Sequence, residues 1–133
     1  MKFENANVLI TGGASGIGKI MGRMALEKGA KCFIIWDINL AGIEATRKEL
    51  GKYGKVKGYV VDVSNPEIVN VAYTKTVEDC GSVDILINCA GGAETRICQA
   101  RGEFHEIPID VYDFGIDVNL KGAMYFDHAV MKY

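Results

Sequence analysis

One stretch constrains the fold of this chain more than any other: Val8-Leu9-Ile10-Thr11-Gly12-Gly13-Ala14-Ser15-Gly16-Ile17-Gly18. Val8 to Ile10 is a short apolar run of β formers and reads as a buried strand. Gly12 to Gly18 is a Gly-x-x-x-Gly-x-Gly loop. After it, Ile17, Ile20, Met21, Met24 and Ala25 recur at helical spacing, so the loop opens a helix. A helix start presents unpaired N–H groups and the positive end of a dipole. Glycines let the backbone turn sharply and approach a ligand without a Cβ in the way. Strand, turn and helix together suit the holding of an anionic pyrophosphate.

A glycine-rich turn alone can be no more than a tight connection. The second strand adds to it. Lys31-Cys32-Phe33-Ile34-Ile35-Trp36-Asp37 ends in a carboxylate 19 residues after Gly18. That is close to the spacing of the acid that grips an adenosine ribose, so the two features in register predict a nucleotide site.

Bulk properties narrow the rest. The 133 residues suffice for one domain with a modest core. With 49% hydrophobic and 24% charged residues, the chain has the make-up of a soluble globular protein. A net charge of −2 gives no electrostatic reason to expect nucleic acid or an anionic membrane as partner. Met1-Lys2-Phe3-Glu4-Asn5 lacks an apolar signal core and no apolar run approaches membrane-spanning length, which predicts a cytoplasmic protein. Cys32, Cys80, Cys89 and Cys98 form no Cys-x-x-Cys pair and read as buried, reduced thiols. Cys98 and His105 find nothing to complete a set of four ligands, so no metal site is expected.

Strand and helix patterns alternate throughout, which predicts a parallel sheet covered by helices. The first helix ends near Lys28-Gly29. Asn39 caps a second helix that runs to about Leu50, with Gly51 after it. Val56 to Val61 is a third strand, with Asp62 at its carboxyl end, where ligands gather in open α/β sheets. Ser64-Asn65-Pro66-Glu67 offers a capping box for a helix with Val69, Ala72, Tyr73, Val77 and Cys80 on one face. Gly81 ends it and Ile85-Leu86-Ile87 is a fourth strand. The polar stretch from Gly92 to about Ile107 reads as an irregular loop at the ligand edge, and His105 within it has no acid/base partner. From Pro108 a last helix places Val111, Phe114, Val118, Tyr125, Phe126 and Ala129 on one side. Gly115 and Gly122 near that face suggest close helix–sheet packing. Asn119 lies inside this helix near the apolar seam, where helix statistics alone favour a satisfied or solvent-facing side chain.

With these residues in view, the chain resembles the short-chain dehydrogenases/reductases along its whole length. Thr11-Gly12-Gly13-Ala14-Ser15-Gly16-Ile17-Gly18 looks like that family's cofactor loop and Asp37 like its ribose-binding acid. Asp62-Val63 is similar to the pair beside the adenine ring. Asn88-Cys89-Ala90-Gly91 resembles the Asn-Asn-Ala-Gly motif, with Cys89 in place of the second asparagine. Asn119 falls where the family keeps its catalytic asparagine. The resemblance implies a Rossmann-type, doubly wound parallel α/β sheet of strand order 3-2-1-4, truncated relative to the family, with helices on both faces. It implies cofactor contacts from Gly12, Ser15, Gly16, Ile17, Gly18, Asp37, Asp62, Val63, Asn88, Ala90 and Gly91, and a catalytic role for Asn119. The function implied is NAD-dependent hydride transfer between an alcohol and a ketone. NAD is favoured because the Asp37 carboxylate repels a 2′-phosphate and no arginine or lysine adjoins it or stands at Ala14 or Ser15. The run Trp36-Asp37-Ile38-Asn39 also looks like members acting on steroids and retinoids.

The family's serine and its Tyr-x-x-x-Lys lie well beyond that asparagine, and here 14 residues follow Asn119. Tyr53-Gly54-Lys55-Val56-Lys57 spells the pattern, but in a glycine-rich turn before the third strand. Residues four apart share a face only on a helix. Tyr133 has no lysine after it. The chain therefore looks like the cofactor-binding half of such an enzyme, catalytically incomplete alone. The other reading is a non-catalytic nucleotide-binding or self-associating module. An apolar fourth strand at a sheet edge predicts homo-oligomerisation through that edge and the last helix.

Overall fold

The apolar run at Val8–Ile10 becomes β1 (Asn7–Thr11), buried at every residue in a computed structural model that describes residues 2–131. Burial on both faces is what a continuous run of β formers implies for a parallel strand. β2 (Cys32–Asp37) lies beside it, with Val8 opposite Phe33 and Thr11 opposite Trp36. β3 (Lys55–Val60) pairs with the far side of β2, and β4 (Ile85–Asn88) with the other side of β1. All pairs are parallel and the order is β3-β2-β1-β4, as expected for a Rossmann-type sheet cut short.

Alternation along the strands divides the core in two. Val8, Ile10, Phe33 and Ile35 point to one side, where Ala25 and Leu26 of α1 (Gly16–Glu27) and Ile43 and Leu50 of α2 (Leu40–Leu50) meet them. Leu9, Ile34 and Trp36 point to the other. There Val69 and Tyr73 of α3 (Pro66–Cys80) and Phe126 and Ala129 of α6 (Gly122–Val130) cover them. Trp36 is fully buried, packs against the tilted Phe126 ring with centroids 4.3 Å apart, and donates from its indole N–H to Thr76 Oγ1 at 3.1 Å. That hydrogen bond satisfies a donor whose burial would otherwise be costly.

Several local expectations are corrected. On α1, Ile17, Ile20 and Met24 are exposed, while Gly18, Gly22, Ala25 and Leu26 face the core. The helix lies so close to β2 that a Cβ at Gly22 would enter the Phe33 ring, leaving no room for any side chain at that position. The N-cap of α3 is Asn65, whose Oδ1 accepts from the amides of Glu67 and Ile68. Pro66 explains the shift by one residue: it sits at the first helical position and keeps its predecessor extended. Ser64 instead bonds the Asp62 carboxylate. The stretch after β4 is not wholly irregular: it holds the one-turn α4 (Glu94–Ile97) and a 3-10 turn at Phe104–Glu106.

The last helix is interrupted. α5 (Ile109–Ile116) passes through a π turn at Asp117–Lys121 into α6. The two glycines pack against other groups than the sheet. A Cβ on Gly115 would lie 2.9 Å from Glu94 Cβ, and one on Gly122 would lie 2.9 Å from Val63 Cγ2. Phe114, expected in the core, is partly exposed. Of the cysteines, Cys32 is buried as expected, but Cys98 is exposed. Tyr133 lies outside the described residues.

Candidate functional site

The loops that leave the carboxyl ends of β1 and β4 are tied together by one hydroxyl. Thr11, the last residue of β1, is buried, and its Oγ1 accepts from the amides of Cys89 (3.0 Å) and Ala90 (2.9 Å). Between these loops and the ends of β2 and β3 opens a cleft of about 580 Å³. It sits at the carboxyl edge of a parallel sheet, the place where open α/β folds bind ligands.

The glycine loop forms one wall. Gly16 has φ +51°, a conformation that suits glycine, and a Cβ there would meet nothing within 4 Å. Gly18 is needed for a different reason: a Cβ would collide with the Gly12 carbonyl oxygen. Ser15 caps α1 with an extended backbone, yet its hydroxyl makes no capping bond. The first-turn amides of α1 have no carbonyl partner within the helix. A bare backbone corner, unpaired N–H groups and an uncommitted hydroxyl together suit a diphosphate.

Asp37 stands at the end of β2 on the same cleft. Its Oδ2 accepts from the Ala14 amide (3.1 Å) and its Oδ1 from the Asn39 amide (3.0 Å). An ionised carboxylate has about four acceptor positions, so two backbone donors leave capacity for ligand hydroxyls. Among the described residues Asp37 makes no ion pair. Asp62 and Val63 follow β3 into the cleft, and Ala90 and Gly91 follow β4.

Ten of the twelve residues singled out in the sequence therefore line one cleft: Gly12, Ser15, Gly16, Ile17, Gly18, Asp37, Asp62, Val63, Ala90 and Gly91. Asn88 does not line it. Its amide donates to Asp127 Oδ1 on α6 at 3.1 Å. Asn119 lies in the π turn and is bound on both amide atoms by Gly92: Oδ1 accepts from its N–H (2.9 Å) and Nδ2 donates to its carbonyl (3.0 Å). It thereby holds the chain just beyond Gly91, while its neighbour Val118 lines the cleft.

Sequence reasoning missed the apolar walls, formed by Ile38, Val61, Ile97, Phe114 and Val118. Ile38 and Val61 adjoin the two acids and could have been inferred from strand register. Ile97 and Phe114 carry no such signal. Thr46 was missed as well. Buried on α2, it donates from Oγ1 to the Ala14 carbonyl at 2.8 Å, so the loop's Ala14 peptide is gripped by Asp37 on one side and Thr46 on the other. Cys89 lies on the cleft with its sulfur 3.8 Å from Met21 Sδ, and burial pushes its thiol pKa up. No tyrosine or lysine lines the cleft among the described residues. Tyr53 sits in the turn before β3, under the Arg23 guanidinium, and Lys57 is within β3.

Comparisons with known proteins point to one family. The family model for short chain dehydrogenases matches residues 6–133. The 3beta-hydroxysteroid dehydrogenase 2 of Eggerthella lenta is 36% identical over 126 residues, covering 94% of this chain and 46% of the relative. The 2-dehydro-3-deoxy-L-rhamnonate dehydrogenase (NAD(+)) of a Sphingomonas strain is 35% identical over 133 residues, covering 99% of this chain and 49% of the relative. Among solved structures, NAD+-bound xylitol dehydrogenase superposes with a TM-score of 0.86 at 26% identity, over 99% of this chain and 49% of that one. The chain spans about half the length of the relatives it matches.

Proposed function

Because the chain belongs to the short-chain dehydrogenase family, we propose that its cleft holds NAD and that it supplies the cofactor-binding half of an oxidoreductase acting on an alcohol or ketone. The observation that carries this reading is Asp37, an ion-pair-free carboxylate facing the same cleft as the bare start of α1. In this reading the diphosphate lies against the first-turn amides of α1 and the Ser15 hydroxyl. Asp37 accepts from the hydroxyls of the adenosine ribose, and Asp62 and Val63 border the adenine. Ala90 and Gly91 flank the other half of the dinucleotide. Asn88 supports them from behind through Asp127. Bound nicotinamide supplies the capacity to accept or donate a hydride. The protein's part is to orient the dinucleotide between apolar walls that exclude water.

Asp37 also sets the choice between the two nicotinamide cofactors. A 2′-phosphate would stand against a carboxylate with no cation at Ala14, Ser15 or Ile38 to offset it, and like charges at contact distance repel strongly when partly desolvated. Asn119, bound to Gly92 on both amide atoms, is assigned as a positioning residue that fixes the loop after β4. The cleft has no tyrosine or lysine among its lining residues, so we propose that the group which moves the substrate's proton comes from outside them. The same feature favours a second reading, a nucleotide-binding module without chemistry of its own.

Trp36 is the single tryptophan and lines the cleft, so its fluorescence reports on binding. Titration is expected to show NAD bound more tightly than NADP, with the ratio narrowing in Asp37→Ala. A folded chain that binds neither, or a ratio unchanged by the substitution, would refute the cofactor assignment. Incubation of the chain with NAD and secondary alcohols should give no reduced cofactor, and measurable turnover would overturn the claim of incompleteness.

A further inference from the structure

A second concavity lies across α4 from the cofactor cleft. α4 is a single turn, and it presents different residues to each neighbour. Ile97 lines the cleft and Glu94 packs beneath Gly115. On the remaining side Thr95, Arg96, Gln99, Ala100 and Arg101 surround a cavity of about 570 Å³. The turn that ends α4 puts both arginines there. The Gln99 amide donates to the Arg96 carbonyl (3.3 Å) and the Ala100 amide to the Thr95 carbonyl (2.8 Å), which reverses the chain and puts Arg101 on the same concavity as Arg96. Gln99 holds the left-handed position of this turn, at φ +55°, where glycine is the usual residue. A side chain stands at a place that favours none, and it faces the cavity.

The polar side chains around this cavity are all capable donors. Two guanidiniums offer five N–H groups each and no acceptor, Gln99 offers an amide NH₂, and Thr95 a hydroxyl. Neither arginine has an ion pair or side-chain hydrogen bond among the described residues. The nearby carboxylates do not line the cavity. Glu103 and Glu106 cap the 3-10 turn for one another, and the Glu94 side-chain stem packs under Gly115 of α5. Two fork-shaped guanidiniums without a bonded partner among the described residues match the geometry of an oxyanion.

We propose that this cavity binds the oxyanion group, carboxylate or phosphate, of a small-molecule ligand. The site is separate from the dinucleotide cleft and does not rest on how that cleft is read. Arg96 and Arg101 clamp the anion, and the Gln99 amide and Thr95 hydroxyl complete its shell.

The test is an NMR titration of the ¹⁵N-labelled chain at low ionic strength, where screening is weak, with succinate and, separately, phenyl phosphate. Saturable shifts of the Arg96 and Arg101 side-chain N–H signals and of the Gln99 and Ala100 amides are expected with at least one probe. The probe that binds identifies the source as carboxylate or phosphate. Arg96→Gln and Arg101→Gln, both exposed and so without consequence for the core, should each weaken binding about tenfold or more, the effect of losing one charge-assisted contact. Unshifted β1 and β2 amides verify that each variant is folded. Absence of saturable shifts at residues 95–101 with both probes would overturn the proposal, as would shifts confined to Ser15–Gly18 or affinities unchanged in the two variants. NAD titrated in parallel moves the Ser15–Gly18 signals, so failure of one site is distinguishable from failure of the other.

Discussion

Thr46 shows how one buried hydroxyl can govern a loop it does not belong to. Its Oγ1 satisfies the Ala14 carbonyl while Asp37 satisfies the Ala14 amide, so the middle of the glycine loop is fixed from two elements at once. Thr46→Val keeps the shape but leaves a carbonyl unpaired, at a cost of about 1–3 kcal/mol. Weaker NAD binding and a lower melting temperature are expected, and Thr46→Ser should restore both. A valine variant that binds NAD like the parent would show that the loop holds itself. Cys32 allows a different measurement. Burial, reinforced by neighbouring Cys80, pushes its thiol pKa from an ordinary 9.0 to about 11. The folded state therefore retains this proton more tightly than the unfolded chain does. The resulting stabilisation is complete below pH 9 and is lost as pH climbs through 11. The Tyr59 phenol, partly buried and bonded to Asp79, is pushed up too and adds a loss of the same sign. Denaturant melts from pH 8 to 11 should fall less steeply for Cys32→Ala than for the parent, and the difference in slope isolates Cys32.

At the scale of elements, the π turn and the two glycines of the last helix decide how it meets the site. Gly122 lies against Val63, a cleft residue. Exchange of glycine for alanine in a helix ordinarily gains about 1 kcal/mol. Here the new methyl would stand 2.9 Å from Val63 Cγ2, and such overpacking costs about 1–3 kcal/mol. Gly122→Ala is therefore expected to lower the melting temperature and to weaken NAD binding by displacing Val63. A more stable variant with unchanged affinity would show that the helix yields freely. This contact also marks where the sequence ceases to be legible. The four strands, the glycine loop and the two acids follow from periodicity and spacing, because each is a local pattern that places its own side chains. Asn88 was readable in principle. Strand alternation puts it on the side of Leu86, toward α6, and there it meets Asp127. Phe114, Ile97 and the true face of α1 were not. Their surroundings depend on how closely Gly22 and Gly115 let helices approach, which a helical stripe of apolar residues does not record.

On the scale of the whole molecule, the sheet has two unlike edges. β3 carries Lys55 and Lys57, charges of the kind that discourage pairing with another strand. β4 reads Ile-Leu-Ile-Asn with no charge, and among the described residues it pairs on one side only, with β1. Met21 of α1 contacts Cys89 just past the end of β4, and on that helix Ile17, Ile20 and Met24 are 73%, 60% and 49% exposed. A free apolar edge next to an apolar helix flank favours burial against a second copy, since each exposed large side chain that becomes covered contributes about 1.5–3 kcal/mol before the cost of association. Self-association should therefore appear in sedimentation velocity as the concentration rises. Ile20→Glu with Met24→Lys, both on exposed positions, is expected to shift the chain toward monomer without loss of melting temperature. A parent chain that sediments as a clean monomer at high concentration would show that this edge does not recruit its own kind.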